Sequence, residues 1–288
     1  MVPPKTWLAI PIMAIACAAV AALLGEQPSA AVAIGALAAA AAAAVRAFAG
    51  ASVAAATTAS AAALLVALGV LDLPHFDVPR ATLAAAAALF AIAELARPLP
   101  VDASPLPAIG AALLAGVLDP AYVALLAIAG IRLLTGPWSR PRWTVLVPIV
   151  GMLAIGIAVL AACAERGVFA ELWHTWAART GTHAPLTVLT QAADTLGPIA
   201  TIAALAGLAV CALRGRYAAA ATLAVAIGAV AVDLAVGSLG AATLAIAAVG
   251  AGVGLARLAA TVRWPTAQTF VGATAGFLVV VAAAMLRL

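Results

Sequence analysis

The sequence has little charge and few aromatic side chains. Asp, Glu, Lys and Arg together make up 8% of its 288 residues, and Phe, Trp and Tyr make up 5%. A soluble globular domain carries about 25% charged residues, so this chain lacks the polar surface that a soluble enzyme needs. It is also 67% apolar, which excludes an intrinsically disordered chain. The composition therefore favours an integral membrane protein.

Cysteine, histidine and recognisable catalytic motifs are also scarce. The three cysteines lie in or at the ends of apolar runs without a CxxC spacing, and the three histidines lack a ligand spacing such as HxxxH. We therefore expect buried thiols and no metal site. The sequence contains no P-loop, GxSxG or HExxH motif and no basic run interleaved with aromatic residues. These features predict no cofactor and no nucleic-acid partner, and they weigh against an enzyme.

Long, alanine-rich apolar runs fill most of the chain. Residues 36–45 are apolar on every side, whereas a transmembrane β-strand alternates apolar and polar positions. Proline, glycine and charge clusters cut the sequence into segments, most of them close to the roughly 20 residues that one membrane-crossing helix needs. The sequence therefore predicts an all-α, polytopic helical bundle that occupies residues 1–288 as a single transmembrane domain. The roughly 11 predicted spans are residues 7–24, 30–45, 51–71, 81–95, 106–118, 121–134, 143–164, 186–213, 217–237, 241–260 and 266–286.

The hairpin formed by residues 106–118 and 121–134 leaves the number of spans open. Both arms are short for a hydrocarbon core of about 30 Å. They can form two thin spans, or one re-entrant hairpin beside about nine full spans. Both alternatives return the chain to the same side of the membrane, so the later topology is unaffected.

The distribution of Lys and Arg predicts the orientation. With the N-terminus in the cytoplasm, ten of the fourteen basic residues fall on the inner side, and eight of the ten acids fall on the outer side. Basic residues concentrate in cytoplasmic loops, so we expect a bacterial-type inner-membrane protein with its N-terminus inside and its C-terminus outside. The inner basic residues are Lys5, Arg46, Arg97, Arg132, Arg140, Arg142, Arg214, Arg216, Arg257 and Arg263.

One outer segment has helical periodicity. Within residues 168–179, the apolar side chains Phe169, Leu172, Trp173 and Trp176 follow the i, i+3, i+4, i+7 spacing of one helix face. This pattern predicts a short helix that lies flat in the outer membrane interface. A lid over an outward-facing site is the alternative.

Two acids fall inside predicted spans, Asp194 early in the eighth and Asp233 late in the ninth. A carboxylate in the hydrocarbon core is costly and needs water, a partner or a proton. Both lie roughly 7–12 Å below the outer surface at 1.5 Å per residue, on neighbouring antiparallel helices. They are predicted to form one outward-facing polar site and to share a proton, unless each separately bonds a neighbouring Ser or Thr hydroxyl. Other candidate members of this site are Gln191, His174, His183 and Asp119; Asp119 also matches an N-cap before Pro120.

Two pairs of glycines in the last two predicted spans have the GxxxG spacing, Gly250 with Gly254 and Gly272 with Gly276. This spacing lets helix backbones approach closely. We expect both pairs to mediate helix packing within the chain, with dimerisation as the alternative.

Two functions are compatible with these features. The first is a carrier, a pore or an accessory subunit of a membrane assembly, with the lipid bilayer and other membrane subunits as partners. The alternative is a membrane-embedded glycosyltransferase-like enzyme, or a degenerate relative of one, that uses a lipid-linked substrate on the outer face. Such enzymes have many spans and outer-face acids, but the first outer loop here, residues 25–29, holds a single acid instead of their usual acidic motif.

Overall fold

The structure is a computed structural model that describes residues 9–23, 26–50, 52–71, 79–97, 106–135, 165, 167, 190, 194–195, 197–213, 215–236 and 240–285. Every regular element in these residues is helical, which confirms the predicted helical class for this part of the chain. A 3₁₀ turn, Pro120–Tyr122, joins α5 to α6. The described α-helices are α1 (Ala9–Leu23), α2 (Pro28–Ala49), α3 (Val53–Leu71), α4 (Pro79–Ala96), α5 (Leu106–Leu118), α6 (Val123–Thr135), α7 (Pro198–Leu213), α8 (Arg216–Val236), α9 (Ala241–Ala260) and α10 (Pro265–Met285).

Five of these helices, α2, α3, α4, α9 and α10, are long and apolar enough to cross a membrane. The other described helices are apolar over shorter lengths. Such a set of helices is expected of a multi-pass membrane protein. The predicted span 143–164 and the predicted flat helix 168–179 lie outside the described residues.

Proline and glycine set several helix boundaries. Helices α2, α4, α7 and α10 begin at Pro28, Pro79, Pro198 and Pro265, where a missing N–H costs nothing because the first turn has no intrahelical acceptor for it. Gly197 has φ +78°, a left-handed conformation that favours glycine. The Gly-Pro pair therefore interrupts the predicted span 186–213 at this point.

Alanine dominates the interior of the bundle. Helix α2 lies at its centre and contacts α1, α3, α4 and α9. The largest of its buried side chains are Phe48, Ile34 and Leu37, and most of its other buried residues are alanines. Alanine favours the helical backbone, and its small side chain allows neighbouring helices to approach closely, so that van der Waals contacts hold the bundle together.

The most extensive helix–helix contact in the described part joins α7 to α9. It is a backbone contact at glycines. A Cβ atom added to Gly250 would stand 2.5 Å from the Ala204 carbonyl oxygen, and one added to Gly254 would stand 2.5 Å from that of Ala203. Gly207 of α7 meets the Gly250 backbone even more closely. The first GxxxG pair therefore packs against another helix of the same chain.

The second GxxxG pair lies against α3. A Cβ atom on Gly276 would stand 2.9 Å from the Ala61 Cβ, and one on Gly272 would stand 3.3 Å from the Thr57 Oγ1. Much of the remaining surface of α10 is exposed, including Phe270 and Phe277. One face of α10 thus packs on the bundle, and the opposite face is available to lipid.

Contacts around Asp233 define one end of the bundle. Arg80, at the start of α4, donates a hydrogen bond from Nε to the Leu118 carbonyl at the end of α5 (2.9 Å). Tyr122, in the turn that follows, lies within electrostatic range of Asp233 near the end of α8. Gly240, just before α9, borders the same carboxylate. We call this the Asp233 end.

The opposite end carries arginine side chains. Arg132 of α6 donates hydrogen bonds to the carbonyl oxygens of Leu95 and Arg97 at the end of α4, and its guanidinium carbon lies 5.9 Å from the ring centroid of Tyr217 in α8. Glu94 and Arg97 have the i, i+3 spacing that favours a local ion pair, and their charged atoms are 2.6 Å apart. We call this the Arg132 end.

Candidate functional site

The turn between α5 and α6 supplies the first acid of the candidate site. The Asp119 Oδ1 atom accepts a hydrogen bond from the Ala121 backbone amide (2.9 Å), and its carbonyl oxygen accepts one from the Tyr122 amide (3.1 Å). Asp119 therefore caps the 3₁₀ turn that leads into α6. The N-cap predicted from the Asp-Pro pair is confirmed, with a 3₁₀ turn in place of a regular first helical turn.

Tyr122 is a buried phenol that two acids influence electrostatically. Its side chain is 3% exposed and lies within electrostatic range of both Asp119 and Asp233. The turn that holds it packs on α8, because a Cβ atom on Gly228 would stand 2.9 Å from the Ala121 carbonyl oxygen. Packing of the hairpin turn on α8 thus places Tyr122 near Asp233, which follows it by more than 100 residues in the sequence.

Asp233, in the last turn of α8, has a buried carboxylate that lies against the start of α9. Its side chain is 2% exposed and lies beside the Gly240 backbone and the Thr243 hydroxyl. Gly240 is the N-cap residue of α9 and has no side chain to cap it. The carboxylate of the preceding helix takes that place, since a negative charge is stabilised near a helix N-terminus.

Two buried oxygen atoms of this site belong to neighbouring side chains. Oδ2 of Asp233 and Oγ1 of Thr243 make no hydrogen bond of standard geometry with the described residues, and the Thr243 hydroxyl is the hydrogen-bonding side chain beside the Asp233 carboxylate. A buried polar atom without a partner costs roughly 1–3 kcal/mol, and more when it is charged. A hydroxyl donor beside a carboxylate acceptor removes this cost for both atoms when the Thr243 O–H donates to Asp233.

The other residues of the predicted site are only partly described. Asp194 is helical and exposed, in contrast to the buried Asp233. Gln191, His174 and His183 lie outside the described residues. The shared site of Asp194 and Asp233 stays a prediction, whereas the proximity of Asp233 to Thr243 resembles the alternative in which each acid meets a neighbouring hydroxyl.

An apolar cleft opens where α7 begins and α10 ends. It encloses about 290 Å³ and is lined by Gly197, Pro198, Ile199, Val279 and Met285, among others. Asp194 precedes this lining by only a few residues. Because most of the lining is aliphatic, the cleft suits a hydrocarbon chain better than a polar solute.

The sequence did not single out Tyr122, Gly240 or Thr243. Tyr122 is one of only two tyrosines in the chain, and a tyrosine three residues after a capping acid is a weak local signal. Within the described residues, no group of three or more His, Cys, Asp or Glu residues could hold a metal ion. The polar groups at this site are instead the Asp233 carboxylate, the Thr243 hydroxyl and the Gly240 backbone.

No family model, curated protein or solved structure matches this chain.

Proposed function

We propose that this is a multi-pass protein of a bacterial-type inner membrane that acts as a carrier or an accessory subunit, with an outward-facing polar site around Asp233. The observation that carries the proposal is the position of this site. A buried, incompletely bonded carboxylate lies at one end of a bundle whose interior is otherwise apolar.

The α5–α6 hairpin supports a count of eleven spans. The turn of the hairpin lies near the start of α4, where Arg80 bonds the Leu118 carbonyl. The other end of the hairpin lies near the end of α4, where Arg132 bonds the Leu95 carbonyl. At 1.5 Å per residue, the stretch of α4 from Arg80 to Leu95 is about 22 Å long. The hairpin therefore runs the same height as α4, as expected for two thin spans and not for a shallow re-entrant loop.

The segregation of charge supports an orientation with the Arg132 end in the cytoplasm. Arg46 and Arg97 lie within electrostatic range of each other at that end. The end of α9 and the start of α3 lie at the same level, because Ala259 and Ala54 both border Gly272. Basic residues mark the cytoplasmic side. The Asp233 end then faces outward, with the N-terminus inside and the C-terminus outside.

A pore is less well supported than a carrier or an accessory subunit. The buried polar or charged residues among those described are Thr58, Thr82, Thr222 and Asp233. Thr58 and Thr222 bond carbonyl oxygens of their own helices, so they do not line a polar path. A water-filled channel needs a continuous polar lining, and these two threonines do not contribute to one.

Sealed proteoliposomes test this assignment. Vesicles that contain the purified chain should hold a K⁺ gradient and trapped carboxyfluorescein as long as protein-free vesicles do. A spontaneous leak of either solute would contradict the proposal and indicate a pore.

The apolar cleft keeps an enzyme with a lipid-linked substrate as the second candidate. An isoprenoid or acyl chain fits a cleft with an aliphatic lining. In the sequence, Asp194 comes only a few residues before Gly197, which lines the cleft. Mass spectrometry of the purified protein should then show a bound polyprenyl-phosphate lipid, and Val279→Trp should remove it while Ile227→Trp, on an exposed face of α8, should not. If wild-type protein carries only bulk phospholipid, this candidate loses its support.

A further inference from the structure

We propose that the connection between α9 and α10 binds an anionic phospholipid. Residues 257–264 comprise the last turn of α9 and the link to α10, and we call them the α9–α10 turn. Its exposed side chains include Arg257, Arg263 and Trp264. The inference goes beyond the proposed function, because it assigns a lipid partner to the Arg132 end of the bundle and does not depend on what the Asp233 site binds.

The lengths of the two helices put this turn at the level of the lipid headgroups. Helix α9 has 20 residues and α10 has 21, so each is about 30 Å long at 1.5 Å per residue. This length matches the hydrocarbon core of a bilayer, and both helices are apolar enough to cross it. Trp264, which is 73% exposed, then lies in the interfacial region that tryptophan prefers.

Hydrogen bonds hold the turn in one shape. The backbone amide and the hydroxyl of Thr261 both donate to the Leu258 carbonyl oxygen, at 3.1 and 2.7 Å. Nε2 of Gln268, in the first turn of α10, donates to the Val262 carbonyl oxygen (2.7 Å) and so ties α10 back to the link. Because the backbone is already ordered, a ligand of the exposed side chains has little ordering cost to overcome.

The sequence around the turn supplies positive charge and no acid. Residues 234–288, which include α9 and α10, contain no Asp or Glu, and neither do residues 27–71, which include α2 and α3. Helix α3 packs on both α9 and α10, and Arg46 in the last turn of α2 adds a further positive charge at this end. Glu94, an acid at the same end, pairs with Arg97. The turn therefore attracts an anionic partner.

An apolar surface beside the turn suits the acyl chains of a lipid. Phe270 and Phe277 of α10 are both exposed, and they lie on the same side of the helix because seven residues make about two turns. Arginine binds a phosphate group through charge-assisted hydrogen bonds, and the phenylalanines continue the contact toward the hydrocarbon. A zwitterionic lipid would also bring a cationic group, which the arginines repel. An anionic phospholipid matches both parts of this surface.

Quenching of Trp264 by brominated lipids tests the proposal on the full chain in nanodiscs. In a variant whose other tryptophans are replaced by phenylalanine, brominated phosphatidylglycerol should compete for the turn roughly 25-fold better than brominated phosphatidylcholine, because each arginine near an anionic headgroup strengthens binding by about fivefold. Arg257→Gln and Arg263→Gln should each lower this preference about fivefold, and the double variant should abolish it. Arg80→Gln, which removes an exposed arginine at the opposite end, is the matched control and should keep the full preference.

Three results would overturn the lipid site. Equal quenching by the two lipids would show that the turn does not select an anionic headgroup. A preference that survives in the double variant would assign the lipid to other residues, and loss of the preference in the presence of inorganic phosphate would make the ligand a soluble anion. If the single-tryptophan variant does not fold, native mass spectrometry decides the question: the double variant should retain less phosphatidylglycerol than the otherwise wild-type chain, and equal retention would reject the site.

Discussion

Gly207→Ala should destabilise the bundle by forcing α7 away from α9. A Cβ atom at this position would overlap the Gly250 backbone, and α7 and α9 share the most extensive helix contact in the described part of the chain. To accept the methyl group, the helices must separate. That movement also loosens the close approaches at Gly250 and Gly254.

The magnitude follows from overpacking and from the matched control. Overpacking a tight contact costs about 1–3 kcal/mol. Gly130→Ala, in α6, meets nothing within 4 Å, and replacing a helical glycine by alanine there should add roughly 0.5–1 kcal/mol of stability. The two variants should therefore differ by roughly 1.5–4 kcal/mol in their free energies of unfolding.

Unfolding in one detergent, followed by circular dichroism against added dodecyl sulfate, measures this difference directly. The expected order of stability is Gly130→Ala, then wild type, then Gly207→Ala. If Gly207→Ala is as stable as Gly130→Ala, α7 does not pack on α9 through a glycine contact, and the arrangement of the two helices is wrong.

Three further predictions concern single features of the chain. Arg132→Ala should destabilise the protein by roughly 1–3 kcal/mol because it leaves the terminal carbonyls of α4 without a donor; Arg132→Lys should recover part of this in thermal unfolding, and no loss in either variant would reject the cap. The predicted flat helix should shield Trp173 and Trp176 from iodide, so strong quenching of these two residues in a variant that lacks the other tryptophans would exclude it. In a double-mutant cycle, a shared acidic site predicts non-additive stability changes for Asp194→Asn and Asp233→Asn, and additive changes would end that hypothesis.

Local chemistry made the helices predictable. The predicted span 241–260 coincides with α9 at both ends, because glycine and a charged, proline-containing link flank a wholly apolar run. The span 30–45 was too short, since α2 begins at Pro28 and continues past Arg46 to Ala49. A single arginine near a helix end is not a breaker, because its long side chain can reach polar surroundings.

The contacts between distant segments could not be predicted in the same way. Gly207 has no GxxxG partner in its own helix, and its importance depends on the Gly250 backbone of α9. Arg132, which the sequence marks only as an inner basic residue, caps a helix more than 30 residues earlier. The neighbours of Asp233 come from the hairpin turn and from α9. These pairings depend on which helices become adjacent, and a nearly uniform alanine surface carries little information about that.

The position of the Asp233 end relative to the membrane tests the central claim most directly. Single cysteines can be placed at Arg80, which is exposed at the Asp233 end, and at Gly215, in the link before α8, in a variant without the native cysteines. In intact cells, a membrane-impermeant maleimide should label the cysteine at position 80, whereas the one at position 215 should react only after the membrane is opened. Labelling at position 215 together with protection at position 80 would contradict the orientation and place the Asp233 site in the cytoplasm.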